Sequence, residues 1–498
     1  MCGGWRTAVL LLPTACLNAA PLYVSPIGSD LNSGAIDAPF SNLTAAVALA
    51  GPGDTIYMRG GTFTYSTTIQ LTNSGTASSP IKIWNYPNEH PVLDFSAMAD
   101  ADPNRGILIT SNASFWHIKG LEVYRAGDNG MKIEGSGNVI EFCSFHHNHD
   151  SGLQIGLGDS DLDIPDRVCS NQIINCDSYL NYDPRHGGGN ADGFCCKLHP
   201  GQGNVFRGCR SWENSDDGWD LYKNQYDVTL DNCWTFHNGD PASFSTSSVG
   251  NAEGFKLGGD TDFYGPRMVT RCIAFMNHFG GSGAGKAFHQ NDHQGPITLL
   301  NCLSFSNNYN YALNNSGGEH IVKNCVSFDP YGPDHKLVSS NSSSSDIYVN
   351  NSWNLPVTPN IADYVGPLTE EAAKAPRQAD GSLPNNGFAR LVAGSDLIDK
   401  GVDVGLPFNG SAPDLGPFEF TVTLVQSNIV VDVVAMTDTG LSLHVIGLTS
   451  HGPVIVQTSP DLATWTPVFT NPPVTGGWQY VDPDATSVPQ RFYRVEEQ

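Results

Sequence analysis

Positive charge is what this sequence has least of. Its 498 residues carry 25 lysines and arginines against 50 aspartates and glutamates, a formal net charge of −25, and no lysine follows Lys400. So acidic a chain lacks the basic face that a nucleic acid partner requires. It also repels polyanions wherever nothing local reverses the sign. Long apolar runs are missing as well: beyond the first twenty residues no segment has the roughly 20 uninterrupted apolar residues of a spanning helix, so no membrane partner is expected. Charged residues make up only 15% of the chain, while glycine and proline number 53 and 32, a composition for turn-rich β-structure rather than helices. Cysteine is confined to the first part of the chain, the last being Cys325.

What is present begins with a leader. Residues 1–20 combine one arginine, a short apolar run and small residues near position 20, the pattern of a secretory signal peptide. The protein is expected to be secreted, extracellular or periplasmic, and monomeric.

A repeat then dominates. Seven segments open on cysteine: "CSFHHN" from Cys143, "CDSYLN" from Cys176, "CRSWEN" from Cys209, "CWTFHN" from Cys233, "CIAFMN" from Cys272, "CLSFSN" from Cys302 and "CVSFDP" from Cys325. Before and between them lie glycine-led strands: "NGMKI", "SGLQI", "DGFCCKL", "DGWDL" and "EGFKL". Each alternates apolar and other residues with period two, as a strand with one buried face does. Strands this short bury nothing alone, but stacked as successive coils each pairs with the strand above and below. The sequence therefore predicts a right-handed parallel β-helix over residues 21–420.

In that fold, like positions lie about 4.8 Å apart. Asn148, Asn181, Asn214, Asn238, Asn277 and Asn307 should form a hydrogen-bonded ladder. The cysteines should stack as a buried column of free thiols, slightly too far apart to bridge. Upstream, "FSNLTAAVALAGPGDTIYM" reads as a helix capped by Ser41 and then a strand, covering the first open end of the stack. Residues 355–420 read as irregular chain laid along the coil, with a short helix at "LTEEAAKA". Residues 421–498, with "VIVQTS", "WQYVD" and "RFYRV", read as a small antiparallel β-sandwich module.

Aligning the glycine-led strands on Gly130, Gly152, Gly193, Gly218 and Gly254 places the acids in space. The residue after each glycine is apolar and inward. The next, Lys132, Gln154, Cys195, Asp220 and Lys256, forms an outward column. Asp192, Asp216, Asp217 and Asp220 thereby converge on one exposed patch of two adjacent coils, with Lys256 beside Asp220. Aspartate before glycine is ordinary turn chemistry. Four carboxylates at one edge, however, repel one another unless a cation sits among them. Oxygen donors without cysteine or histidine suit a hard ion, calcium rather than zinc. For Lys256 the plain alternative to a functional role is a solvated surface lysine or an ion-pair partner of Asp220.

The run "NADGFCCKLHPGQGNVFRGCRSWENSDDGWDLY", followed by "GNAEGFKLGGD", resembles the core of polysaccharide lyase family nine, the pectate lyases and relatives. "YVSPIGSDLNSGAIDAPF" and "DLGPFEF" resemble the ends of the same domain, so the likeness spans roughly residues 22–420. The resemblance implies a calcium-dependent lyase acting on polygalacturonate or another uronic acid polymer by β-elimination. It implies that Asp192, Asp216, Asp217 and Asp220 hold Ca²⁺ and that Lys256 is the base removing the C5 proton. "GKAFHQND", with Lys286 and His289, is a candidate substrate-contacting stretch. Two other readings stand beside it. A polygalacturonase-like hydrolase would use the aspartates around a water and leave Lys256 idle. A non-catalytic carbohydrate-binding β-helix would bind the polymer without cleaving it.

Overall fold

Strand alternation along the repeat produces three long parallel sheets. The computed structural model describes residues 20–497 apart from 248, 279–284, 314–316, 332–345, 422–428, 438, 450–451 and 489. The expected leader, all but its last residue, lies outside the described residues. Each turn of the chain adds one short strand to each sheet in the same order. One sheet has twelve described strands, from Leu22–Val24 to Ile347–Val349. A second has ten, from Gly61–Thr64 to Val326–Phe328, and the third nine, from Ile69–Leu71 to Tyr309–Ala312. Neighbours within a sheet are one coil apart and parallel, so the coil is the expected parallel β-helix.

Two left-handed corners flank each cysteine-led strand, a feature not read from the sequence. Phe142, Asn175, Gly208, Asn232, Arg271, Asn301 and Asn324 precede the cysteines with φ between 52° and 64°. A second set, including Leu180, Glu213, His237 and Met276, precedes the ladder asparagines with φ between 51° and 57°. A non-glycine residue there costs about 1–2 kcal/mol. The asparagine ladder holds the second corner: Asn148 Nδ2 donates to Asn181 Oδ1 at 2.9 Å, Asn181 to Asn214 at 2.8 Å, Asn214 to Asn238 at 3.1 Å, Asn238 to Asn277 at 3.0 Å and Asn277 to Asn307 at 3.1 Å. A second ladder, Asn138 to Asn171 to Asn204, runs at 2.8 and 3.0 Å and was not expected. All ten described cysteines are free thiols, nine of them buried.

Inside the coil Phe194, Trp219, Phe255, Phe288 and Tyr311 stack with ring centroids 4.9–5.1 Å apart. The aromatic third residue after each cysteine faces the other way. Tyr179, Trp212, Phe236, Phe275, Phe305 and Phe328 stack on the outer face. Leu383, Phe388, Leu391, Leu397 and Leu415 cover them, making a second core. The segment after residue 355 is thus a strap over an apolar outer wall. Its short helix, Glu370–Lys374, accepts a cap from Thr369, whose Oγ1 takes the Ala372 N–H at 3.4 Å. Glu370 pairs with His237 at 2.5 Å and Lys374 with Glu213 at 3.1 Å, which docks the helix on the coil.

The N-terminal helix is Leu43–Leu49, and it packs against the first two strands of the twelve-stranded sheet and the first strand of the nine-stranded sheet. Ser41 is not its cap. Asn42 holds that position without a side-chain bond to the helix, because Asp30 engages both residues, taking Ser41 Oγ at 2.8 Å and Asn42 Nδ2 at 2.6 Å. The chain divides into compact units at Phe420 and Thr421. The second unit is two three-stranded antiparallel sheets around Leu443, Val456 and Tyr480 on one side and Val445, Leu448 and Val454 on the other.

Candidate active site

The nine-stranded sheet carries the acids. Its register pairs Lys132 with Gln154, Gln154 with Cys195, Cys195 with Asp220, Asp220 with Lys256 and Lys256 with His289. Tight packing beneath sets the glycines: a Cβ on Gly218 would lie 1.9 Å from Thr235 Oγ1 and 2.6 Å from the Gly254 carbonyl oxygen. The chain therefore enters Trp219–Asp220 close against the neighbouring coil.

The column points outward from the coil, but it is not exposed as the sequence led us to expect. Asp192, Asp216, Asp217 and Asp220 are all buried, Asp192 and Asp217 completely. Loop segments close around them: the amides of Asn190 and Asn251 both donate to Asp216, and Ser151 Oγ donates to the Asn190 carbonyl. Loop length follows no repeat, so strand parity alone could not reveal this cover.

Three of the four carboxylates converge, since Asp192, Asp217 and Asp220 each offer an oxygen within 4.8 Å of the others. Asp216 stands outside this triad, its two oxygens taking the Asn190 and Asn251 amides at 2.8 and 2.5 Å. Backbone amides also orient the triad: Asp192 Oδ1 accepts from Asp217 N at 3.1 Å, Asp217 Oδ1 from Glu253 N at 2.9 Å and Asp220 Oδ1 from Tyr222 N at 2.9 Å. The remaining Oδ2 atoms meet two ammonium groups. Lys256 Nζ is 3.2 Å from Asp217 Oδ2 and 3.4 Å from Asp220 Oδ2. Lys197 Nζ is 2.6 Å from Asp192 Oδ2 and 3.2 Å from Asp220 Oδ2.

So much negative charge out of water is poorly balanced. Burial, reinforced by Asp220 and Asp216, pushes Asp192 up to about 7. Burial and Asp216 likewise raise Asp217 well above the carboxylate range. Burial acts on Asp220 too, but Lys256 and Lys197 outweigh it and hold Asp220 low. For Lys256 burial favours the neutral amine, yet Asp220, Asp217, Asp216 and Asp192 together raise it well above its ordinary value. Asp217 Oδ2 is buried and forms no hydrogen bond, its partner being the Lys256 ammonium at 3.2 Å. Converging oxygen donors, a buried acceptor lacking a hydrogen bond and crowded negative charge fit a hard divalent cation.

Lys286 and His289 lie one coil beyond Lys256, and both are tied to Glu253. Lys286 Nζ is 3.6 Å from Glu253 Oε1, and His289 Nδ1 2.7 Å from Glu253 Oε2. Glu253 in turn donates its backbone N–H to Asp217, so these residues join the aspartate cluster through one carboxylate. Sequence reasoning passed over both Glu253 and Lys197. Each had a signal: Glu253 precedes Gly254 as Asp217 precedes Gly218, and Lys197 lies two residues after the outward Cys195. The adjacent Cys195 and Cys196 are split by strand parity, Cys195 donating to Asp192 Oδ2 at 3.1 Å while Cys196 enters the core.

Residues 22–324 match the model of the Pel9A-like, right-handed β-helix region. The chain belongs to this family, family nine of the polysaccharide lyases. Among its relatives, pectate lyase L of Dickeya chrysanthemi is 38% identical over 410 residues, which cover 80% of this chain and 90% of that protein. The crystal structure of pectate lyase Pel9A superposes with a TM-score of 0.70 at 35% identity, over 81% of this chain and 97% of that one. A rhamnogalacturonan lyase follows with a TM-score of 0.63 at 26% identity, over 75% and 96%. Family-nine membership accounts for the coil, and these matches span nearly the whole of the relatives' lengths.

Proposed function

We propose that this chain is a calcium-dependent pectate lyase that cleaves polygalacturonate, or a related uronic acid polymer, by β-elimination. The observation that carries the reading is Lys256 Nζ lying against a buried carboxylate cluster fit for a hard cation, in a chain whose relatives are named for pectate.

Asp192, Asp217 and Asp220 would hold the ion, with Asp216 joining through the lone pairs its amide bonds leave free. Calcium bound there supplies positive charge to the uronate C6 carboxylate and to the negative charge that gathers on it as C5 is deprotonated. Lys256 Nζ takes the C5 proton. The electron pair forms the C4–C5 double bond, the C4–O4 bond breaks, and no water is consumed. The four aspartates hold Lys256 protonated while burial favours its neutral amine, so the carboxylates that would hold the ion also set the charge of the base. Base and ligand set are therefore one device. Lys286 and His289, one coil on, contact neighbouring carboxylates of the polymer. The two lysines wedged into the cluster also favour elimination over hydrolysis, since a carboxylate acid–base pair working around a water would leave Lys256 without a role. Export through the leader at residues 1–20 belongs to the same proposal.

The test is incubation with polygalacturonate, with calcium and with chelator, following the ultraviolet absorbance of the conjugated product. Absorbance should rise only with calcium and faster at alkaline pH, since the base must be neutral. Chain cleavage without absorbance would show a hydrolase, and binding without cleavage a non-catalytic protein. Full rate in chelator would remove calcium from the mechanism.

A further inference from the structure

We propose that Lys197 is a positioning residue, an ammonium built into the chain that occupies the cation's own carboxylate oxygens and thereby limits the site's affinity for the metal. The inference rests on the calcium reading above and concerns a residue outside its ligands and its base.

Lys197 follows the strand Phe194–Cys196 and is buried. Its backbone N–H is fixed to the Ile155 carbonyl at 3.0 Å. Its Nζ bridges Asp192 Oδ2 at 2.6 Å and Asp220 Oδ2 at 3.2 Å, two of the three carboxylates that converge. Lys256 bridges the other combination, Asp217 with Asp220. Asp220 Oδ2 thus faces both ammoniums. Lys197 therefore neutralises one of the negative charges that the four ionised aspartates would offer a cation.

A cation entering this set must share or take the oxygens that Lys197 holds. Asp192 Oδ2 is already crowded, since Ser151 Oγ lies 3.2 Å and Cys195 Sγ 3.1 Å away. Whether Lys197 stays or swings aside on its flexible stem, its charge opposes a second positive charge a few ångströms away, in surroundings where charges interact far more strongly than in water. In the metal-free chain the same ammonium does the opposite job and keeps Asp192 and Asp220 together. A purely structural lysine would have a different signature. Its removal would loosen two ligands and weaken metal binding.

The experiment is calorimetric titration of calcium into the full chain, wild type, Lys197→Met and Lys197→Arg, with melting temperatures in chelator and in saturating calcium. Lys197→Met should bind calcium roughly tenfold more tightly or better, melt lower in chelator and gain more from calcium than wild type does. Lys197→Arg keeps the charge and should stay within a few-fold of wild type. Equal or weaker binding by Lys197→Met would overturn the proposal. A Lys197→Met chain that folds only with calcium present would support it, because the unbalanced carboxylates then require a cation. Should that variant fold under neither condition, Lys197→Gln decides by the same comparison of affinities. A wild type without any calcium response would overturn the metal reading itself. A responsive wild type with an unchanged variant would overturn only the role of Lys197.

Discussion

Replacing Lys256 with alanine and Asp220 with asparagine should break the site in two distinguishable ways, although the two residues are register partners with Nζ and Oδ2 3.4 Å apart. Lys256 also reaches Asp217 at 3.2 Å, and it is nearly enclosed. If the contact were only an ion pair, it would be a buried one, and losing either partner would cost about 3–5 kcal/mol of stability. Both variants would then lose stability and activity together. As the general base, Lys256 carries a different load. Its loss should lower turnover by roughly 10²–10⁴, about 3–5.5 kcal/mol of barrier, at every calcium concentration. Calcium should still bind Lys256→Ala, since all four aspartates remain. Asp220→Asn removes a ligand charge from the centre of the cluster. Its calcium affinity should fall, and part of its activity should return as calcium is raised. The assay is turnover on polygalacturonate against calcium for each variant, paired with melting temperatures at the same concentrations. Near-normal turnover by Lys256→Ala would refute the base assignment, and so would a loss that added calcium restores.

Two further outcomes follow from the fold. A chain ending at Phe420 should keep the cooperative melting and the lyase activity of the coil, because residues 421–498 form a separate compact unit with its own cores; a lowered coil melting temperature after truncation would contradict this. The ion pair docking the strap helix should give stability a pH window. Burial opposes ionisation of Glu370, but His237 and Lys374 hold it down at about 2, so its contribution is present above the unfolded value near 4.5 and is lost as pH falls toward 2. Burial likewise disfavours charged His237, but Glu370 and Asp240 raise it, so its contribution is full below about 6.5 and fades as pH rises through the raised value. Glu370→Gln should cost on the order of 2 kcal/mol near pH 5.5 and flatten the melting temperature against pH; an unchanged profile would show that apolar packing alone holds the strap.

Period-two alternation, repeated in step with cysteine and asparagine, was enough to determine the coil. In stacked parallel strands, register follows from the sequence of each turn, so aligning five glycines placed Asp220 beside Lys256 and aligned the six asparagines of the ladder. The free-thiol column came from the same spacing. Tertiary structure alone decided what the connections do. Loops of unequal length buried the aspartates that parity could only call outward, and their backbone amides took up Asp216, leaving three carboxylates rather than four in close convergence. The aromatic third residue after cysteine was visible as a pattern, but its meaning as an outer wall depended on a strap that returns to it only after the whole repeat has been laid down. Lys197 shows the division most clearly. Strand parity sets its side, while its bridge between Asp192 and Asp220 depends on two coils meeting at atomic distance, where short-range electrostatics rather than periodicity governs.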